Sequence, residues 1–276
     1  MQARFRKPID VFRTALAYRH QKPGRILFDH LPKCAGTTIR IFMERHFPRQ
    51  QVFKFNGLSP DQSVAEFQSL PEQQRFKYHL MVGHLAHQVV DLVHPDTIKV
   101  TILRDPVDRI VSHYYFARQS RIHYLHEHLR RTGIGLEDYA RSKLSTELQN
   151  WYTTHFTGLT PEVVEKHPDE ALECAAEEIA NTYDVVGFQD QLPVVGEQLK
   201  LAANLCLPFR NDVRNKTRVR ARVSEIPESA RRAISEANAV DIRLYDLLRN
   251  RYWHRTPQGS SELRPQQQPV AACIAG

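Results

Sequence analysis

Residues 26–47 of the chain read ILFDHLPKCAGTTIRIFMERHF, and this stretch decides the fold. It opens with an apolar run, 26–28, that has the character of a buried strand, and then passes into the small and polar residues of 32–38. Beyond that loop the apolar residues recur at the spacing of one helix face: Ile39, Phe42, Met43 and Phe47. The pattern predicts a strand, a loop and a helix in direct succession.

Three further apolar runs have the length and composition of buried strands. They lie at 78–82, 98–103 and 183–187, and longer amphipathic stretches separate them. This alternation is typical of strand–helix crossovers. The sequence therefore predicts an α/β fold with a central, mostly parallel sheet flanked by helices. Ligands of such sheets bind beyond the carboxyl ends of the strands, so the polar clusters that follow the first three runs are expected to converge.

Turn signals and composition predict the domain organisation. A Lys-Pro-Gly turn at 22–24 suggests an N-terminal extension over residues 1–24 and a folded domain over 25–255. A helical periodicity runs from Pro227 to His254, and the Gln- and Pro-rich residues 256–276 are expected to be a disordered tail.

Composition excludes several classes of protein. No apolar run among the 276 residues is long enough to span a bilayer, and no secretory signal follows the basic N-terminus, so a cytoplasmic protein is expected. The four cysteines lack the spacing of metal ligands or of a disulfide framework, which predicts free thiols and no metal. The net charge of +7 favours anionic partners without choosing among them.

The loop after the first strand has the features of an anion-binding site. Unpaired N–H groups at a helix start attract an anion, Gly36 lets the backbone approach closely, and Lys33 supplies a positive charge. Thr37 and Thr38 add hydroxyl donors. The order of residues is not that of a Walker A loop, because the lysine precedes the glycine.

A second cluster, RDPVDRIVSHYY, follows the 98–103 run at residues 104–115. Asp105 is suited to cap a helix that begins at Pro106. Arg104 would then lie at the turn between strand and helix, where its guanidinium can pair with two phosphate oxygens, and Ser112 can add a hydroxyl. The alternative is that Arg104 pairs with Asp108 and that Ser112 is solvated.

Together the two clusters resemble the donor site of the sulfotransferases that use 3′-phosphoadenosine 5′-phosphosulfate (PAPS), particularly the group related to heparan sulfate 2-O-sulfotransferase. The first cluster resembles the 5′-phosphosulfate loop and the second the 3′-phosphate motif of that family, whose fold is P-loop-like. The resemblance implies PAPS as donor, with no metal. A basic segment, 210–222, is similar to a loop that closes over the nucleotide in the family. The implied donor contacts are Lys33, Cys34, Ala35, Gly36, Thr37, Thr38, Arg104, Ser112, Lys216 and Arg218.

The resemblance also implies a catalytic base. His84 follows the 78–82 run in a Gly-His pair similar to that of the 2-O-sulfotransferase group, in which the histidine is the base. Lys33 would stabilise the charge that develops on the leaving group. His79 and His87 compete for the role of base. Other sulfotransferases use a glutamate on the helix after the first loop; the spacing of Glu44 from Thr37 differs from theirs, so Glu44 is the runner-up.

The expected function is sulfuryl transfer from PAPS to a hydroxyl of a saccharide acceptor, with neither nucleic acid nor a membrane as partner. Two alternatives stay open. One is a kinase on a related fold, which would need magnesium ligands. The other is a basic nucleic-acid-binding protein, which would need basic residues clustered with stacking aromatic side chains.

Overall fold

The computed structural model describes residues 22–210 and 220–253, which form two compact units. The first unit comprises 22–103 and 182–210, and the second comprises 104–181 and 220–253. Most of the expected N-terminal extension, Lys216 and Arg218 of the basic segment, and the tail expected at 256–276 lie outside the described residues.

The first unit contains a five-stranded, entirely parallel sheet in the order β2-β3-β1-β4-β5. Its strands are β1 (Ile26–Asp29), β2 (Val52–Lys54), β3 (Leu80–Gly83), β4 (Ile98–Leu103) and β5 (Val185–Phe188). In the central strand Asp29 is in register with Gly83 of β3 and Thr101 of β4. The carboxyl ends of β1, β3 and β4 therefore lie at one edge of the sheet.

Helices cover both faces of this sheet, as expected for parallel strands that are apolar on both sides. The helices of this unit are α1 (Gly36–Glu44), α2 (Pro60–Ser69), α3 (Glu72–Arg75) and α10 (Leu192–Ala202). Helices α1 and α10 pack on the face that carries Phe28 and Val82. Helix α2 packs on the opposite face through Phe67. The predicted α/β architecture is confirmed.

The second unit is helical. Its helices are α4 (Pro106–Gln119), α5 (His126–Thr132), α6 (Leu136–Arg141), α7 (Trp151–Thr157), α8 (Pro161–Lys166), α9 (Pro168–Thr182), α11 (Glu228–Ala237) and α12 (Ala239–Tyr252). Helix α4 packs against α6 and α11 through Ile110, Val111 and Tyr114.

The structure refines two expectations. The helical stretch that begins near Pro227 is two helices, because the fully buried Asn238 interrupts it and its side-chain amide donates to the carbonyls of Leu148 and Ile234. The short edge strand β2 was not predicted. In the two described ranges, no helix combines the length and the apolar character that a membrane span requires.

Candidate active site

The loop between β1 and α1 has an unusual backbone. Lys33 and Ala35 both have positive φ, 67° and 59°, although neither is glycine. This left-handed conformation costs about 1–2 kcal/mol for a residue with a side chain, and such strain is concentrated at functional sites. Alternation of left-handed residues turns successive N–H groups toward a common point, which is the geometry of an anion-binding nest.

The structure gives a second reason for a glycine at position 36. It is the first residue of α1, and its φ is not positive. Instead, the imidazole of His30 lies directly over it: a Cβ added to Gly36 would be 1.9 Å from His30 Cδ2. The glycine therefore makes room for the His30 ring beside the loop.

His84 lies at the carboxyl end of β3, on the same sheet edge as the loop. It stands between Gly83 and Leu85, which have φ of 153° and 60°. A Cβ on Gly83 would meet Phe55 Cβ at 2.6 Å and Phe55 O at 2.7 Å, so only glycine fits there. The tight turn fixes the backbone from which the His84 side chain projects.

A hydrogen bond fixes the tautomer of His84. Its Nδ1 lies 2.5 Å from the carbonyl oxygen of His30, which can only accept, so Nδ1 carries the hydrogen. In neutral His84 the unprotonated nitrogen is therefore Nε2. A general base requires such an unprotonated nitrogen. Beside that edge of the ring is Gly57, whose absent side chain leaves room: a Cβ there would be 3.7 Å from Nε2.

The three competing bases have different surroundings. His79 precedes β3 and lies at its amino end, away from the loop, and burial lowers its pKa. His87 Nδ1 lies 4.0 Å from the buried Asp29 carboxylate. One carboxylate oxygen of Glu44 is 2.6 Å from Arg40 and 2.9 Å from Lys54. Both cations therefore contact the same carboxylate oxygen of Glu44.

In the second unit, Arg104 lies directly before α4. As predicted, the carboxylate of Asp105 caps this helix and accepts from the backbone N–H of Asp108 at 2.8 Å. The guanidinium of Arg104 pairs with the Asp108 carboxylate, with Nε at 2.7 Å, as the alternative interpretation expected. Ser112 is 4% exposed, so the expectation that it is solvated was wrong.

The carboxylate of Asp108 also pairs with a second guanidinium, that of Arg220. Burial and the neighbouring Arg104 lower the pKa of Arg220 to about 10, which leaves it protonated at neutral pH. Two guanidiniums therefore converge on one carboxylate, which gathers hydrogen-bond donors of the kind that bind phosphate.

Sequence reasoning placed Lys33, the loop and His84 at one sheet edge, and the first unit brings these residues together. It missed three partners. His30 contacts both the loop and His84, Arg220 contacts Asp108, and Tyr152 hydrogen-bonds the backbone of Arg104. Arg220 lies in the basic segment that the sequence singled out. The other two carry no sequence signal, since their contacts depend on tertiary structure.

Comparison with known proteins agrees with this geometry. No curated protein matches the chain. A family model described as the sulfotransferase family matches residues 17–247, which is most of the chain and includes the β1 loop, His84, Arg104 and Arg220. The chain therefore belongs to the sulfotransferase family.

Proposed function

We propose that this sulfotransferase takes its sulfuryl group from PAPS and transfers it to a hydroxyl of a saccharide, in the manner of the heparan sulfate 2-O-sulfotransferase group. The observation that supports the proposal most is the orientation of His84: its Nδ1–H is bound to a carbonyl, and its Nε2 is unprotonated at the sheet edge that also carries the loop. A base beside an anion loop is what sulfuryl transfer to a hydroxyl requires.

The β1 loop would bind the 5′-phosphosulfate. Its left-handed residues and the start of α1 supply N–H donors, and Lys33 supplies the charge. The other residues assigned to the 5′-phosphosulfate are Cys34, Ala35, Gly36, Thr37 and Thr38. Arg104 and Ser112 would bind the 3′-phosphate, and Arg220 joins them in the proposal. In support, Arg104 and Arg220 both pair with the Asp108 carboxylate, which brings two side chains suited to phosphate together within the second unit.

In the proposed reaction, His84 Nε2 removes the proton of the acceptor hydroxyl. The acceptor oxygen then forms a bond to sulfur while the bond between sulfur and the bridging phosphate oxygen breaks. Lys33 stabilises the negative charge that builds on the leaving adenosine 3′,5′-bisphosphate. A positioned base contributes typically ~10²–10⁴-fold, and each donor aimed at the developing charge contributes ~10²–10³-fold.

The choice of a saccharide acceptor rests on the resemblance to the 2-O-sulfotransferase group and on charge. The chain carries 38 Lys and Arg against 31 Asp and Glu, which favours a polyanionic acceptor over a cationic one. Gly57, which has no side chain, lies beside the Nε2 edge of His84.

The test begins with binding. Calorimetry with adenosine 3′,5′-bisphosphate, adenosine 5′-phosphosulfate and ATP separates a PAPS site from a kinase site. We expect the bisphosphate to bind most tightly, and Arg104→Ala to remove its advantage over the 5′-phosphosulfate, which has no 3′-phosphate. Tightest binding of ATP, or an unchanged preference in the variant, would contradict the assignment.

Transfer is then measured with labelled PAPS across acceptor classes, with the products mapped by mass spectrometry. His84→Ala should abolish transfer and retain bisphosphate binding, while His87→Ala and Glu44→Gln serve as matched tests of the competing bases. If His84→Ala keeps wild-type turnover, the base lies elsewhere. If only tyrosine, lipid or small-metabolite acceptors are sulfated, the saccharide assignment fails.

A further inference from the structure

His30 contacts both parts of the proposed reaction site, and the mechanism above gives its side chain no role. Its ring stacks on Phe28 with centroids 5.6 Å apart and an interplanar angle of 11°. Its other neighbour is the ring of His84, at 4.7 Å and 30°. A third side lies against Gly36 of the anion loop. These three contacts confine the imidazole to one position.

The backbone of His30 is tied to the same turn. Its N–H donates to the carbonyl of Gly83 at 3.0 Å, and its own carbonyl accepts from His84 Nδ1. His30 thus meets the residue before His84 through the backbone and His84 itself through both the carbonyl and the ring. A shift of the His30 ring would be transmitted to the His84 ring, since close-packed neighbours cannot move independently.

We propose that the His30 imidazole is a positioning residue, which holds the His84 ring in the orientation that presents Nε2 to the acceptor and keeps this ring aligned with the anion loop. The inference deepens the proposed function and rests on it. The ring acts by packing, and the proton of the acceptor does not pass through it.

The charge state of His30 agrees with this role. Burial is the main cause that holds its pKa well below the usual value, and the positive charges of His84, Arg40 and Lys33 act in the same direction. The carboxylate of Asp29 opposes them with a smaller effect than those of burial, His84 and Arg40. His30 therefore stays neutral at physiological pH. A cation in its place would repel the charged His84 that proton removal creates.

Two substitutions separate packing from chemistry. His30→Ala leaves space beside His84, and misplacement of a reacting group by about 1 Å can cost as much as ~10²-fold. We expect kcat to fall roughly tenfold or more, up to that limit, with a much smaller change in the Kd of adenosine 3′,5′-bisphosphate. His30→Phe restores a planar ring without a titratable nitrogen, and it should recover most of kcat with the same pH midpoint.

The decisive readout is the tautomer of His84, observed in long-range ¹H–¹⁵N spectra of the histidine rings. We expect the Nδ1–H form alone in the wild type and in His30→Phe. In His30→Ala the carbonyl of residue 30 remains, but a His84 ring that has lost its packing partner turns away from it in part of the molecules, so a mixture of tautomers is expected. Wild-type kcat in His30→Ala would overturn the proposal. So would a reduced kcat with the His84 tautomer unchanged, or a failure of the phenylalanine to restore activity.

Gly36→Ala supplies the same readout should His30→Ala not fold, because the added Cβ displaces the His30 ring without removing it. The spectra need no sulfate transfer, so the two proposals can fail separately. If the chain neither binds the bisphosphate nor transfers sulfate, the proposed function fails and the tautomer still decides the positioning role. If transfer is normal and the tautomer does not respond, the positioning role alone fails.

Discussion

The phenol of Tyr152 holds both backbone polar groups of Arg104. Its oxygen accepts from the Arg104 N–H at 3.1 Å, and its hydroxyl donates to the Arg104 carbonyl at 2.9 Å. Tyr152 is fully buried, and its own N–H donates to the buried carboxylate of Asp241 at 2.7 Å. The backbone of the arginine that we assign to the 3′-phosphate is thereby fixed by a side chain 48 residues further along the chain.

We therefore expect Tyr152→Phe to weaken binding of adenosine 3′,5′-bisphosphate, by roughly tenfold, or about 1.4 kcal/mol. The variant keeps the ring and removes the hydroxyl partner of two backbone groups, which also costs about 1–3 kcal/mol of stability for each group left unsatisfied. Calorimetry and thermal unfolding measure the two effects.

Tyr114→Phe is the matched control. Its hydroxyl donates to the carbonyl of Ile134 at 2.9 Å in the same unit and does not contact Arg104. It should lower stability and leave the Kd of the bisphosphate unchanged. Equal losses of affinity in both variants would show that Tyr152 acts only through stability.

Arg220 provides a second test of the anion cluster. Arg220→Ala removes one of the two guanidiniums on Asp108. We expect affinity for adenosine 3′,5′-bisphosphate to fall by about 1.5–3 kcal/mol, the value of a hydrogen bond to a charged group.

Arg222→Ala, two residues away, is the control. It removes a side chain that is 84% exposed and only approaches Glu225. The Kd of this variant for adenosine 3′,5′-bisphosphate should stay within about twofold of the wild-type value, because exposed ion pairs contribute little. A loss of the same size in both variants would mean that net charge alone is sensed.

Much of the sheet could be predicted because its signal is local. The apolar residues 98–103 coincide with β4, and the other three predicted strands overlap β1, β3 and β5. Strand β2 escaped because it has only three residues, and one of its residues, Lys54, is exposed, as is typical of an edge strand. The N-cap of α4 was predictable for the same local reason, since the Asp105 side chain caps a helix that begins at the next residue.

The site was predicted less completely, because its decisive contacts join residues that are distant in sequence. His84 bonds to His30 across 54 residues, and Tyr152 to Arg104 across 48. The strain in the β1 loop was also hidden, since Lys33 and Ala35 are not residues that favour positive φ. Sequence indicated which residues carry charge, and the fold determined which of them meet.

Gly57 offers a test of acceptor access. It has no positive φ, so a side chain there is not strained, and it would project beside the Nε2 edge of His84. We expect Gly57→Leu to lower kcat/KM for the acceptor by roughly tenfold or more, within the range in which misplaced reactants lose rate, and to leave the Kd of the bisphosphate unchanged. Gly135→Leu is the control, because an added Cβ there meets nothing within 4 Å. Wild-type kcat/KM in Gly57→Leu would place the acceptor on another side of His84.

His46 should make stability depend on pH. It is 1% exposed; its Nδ1–H donates to the carbonyl of Phe42 at 3.0 Å, and its Nε2 accepts from the N–H of Leu207 at 3.0 Å. Burial lowers the pKa of His46 to about 4, because protonation would place a charge in the core and abolish the bond from Leu207.

The folded state therefore binds fewer protons than the unfolded state between pH 4 and 6.5. The contribution of His46 to stability is complete above pH 6.5 and declines as the pH falls, by roughly 2 kcal/mol at pH 5. His46→Gln has no such proton to gain, so the stability difference between wild type and variant should shrink by this amount from pH 7 to pH 5 in urea unfolding. A difference that is equal at the two pH values would show that His46 titrates alike in the folded and unfolded chains.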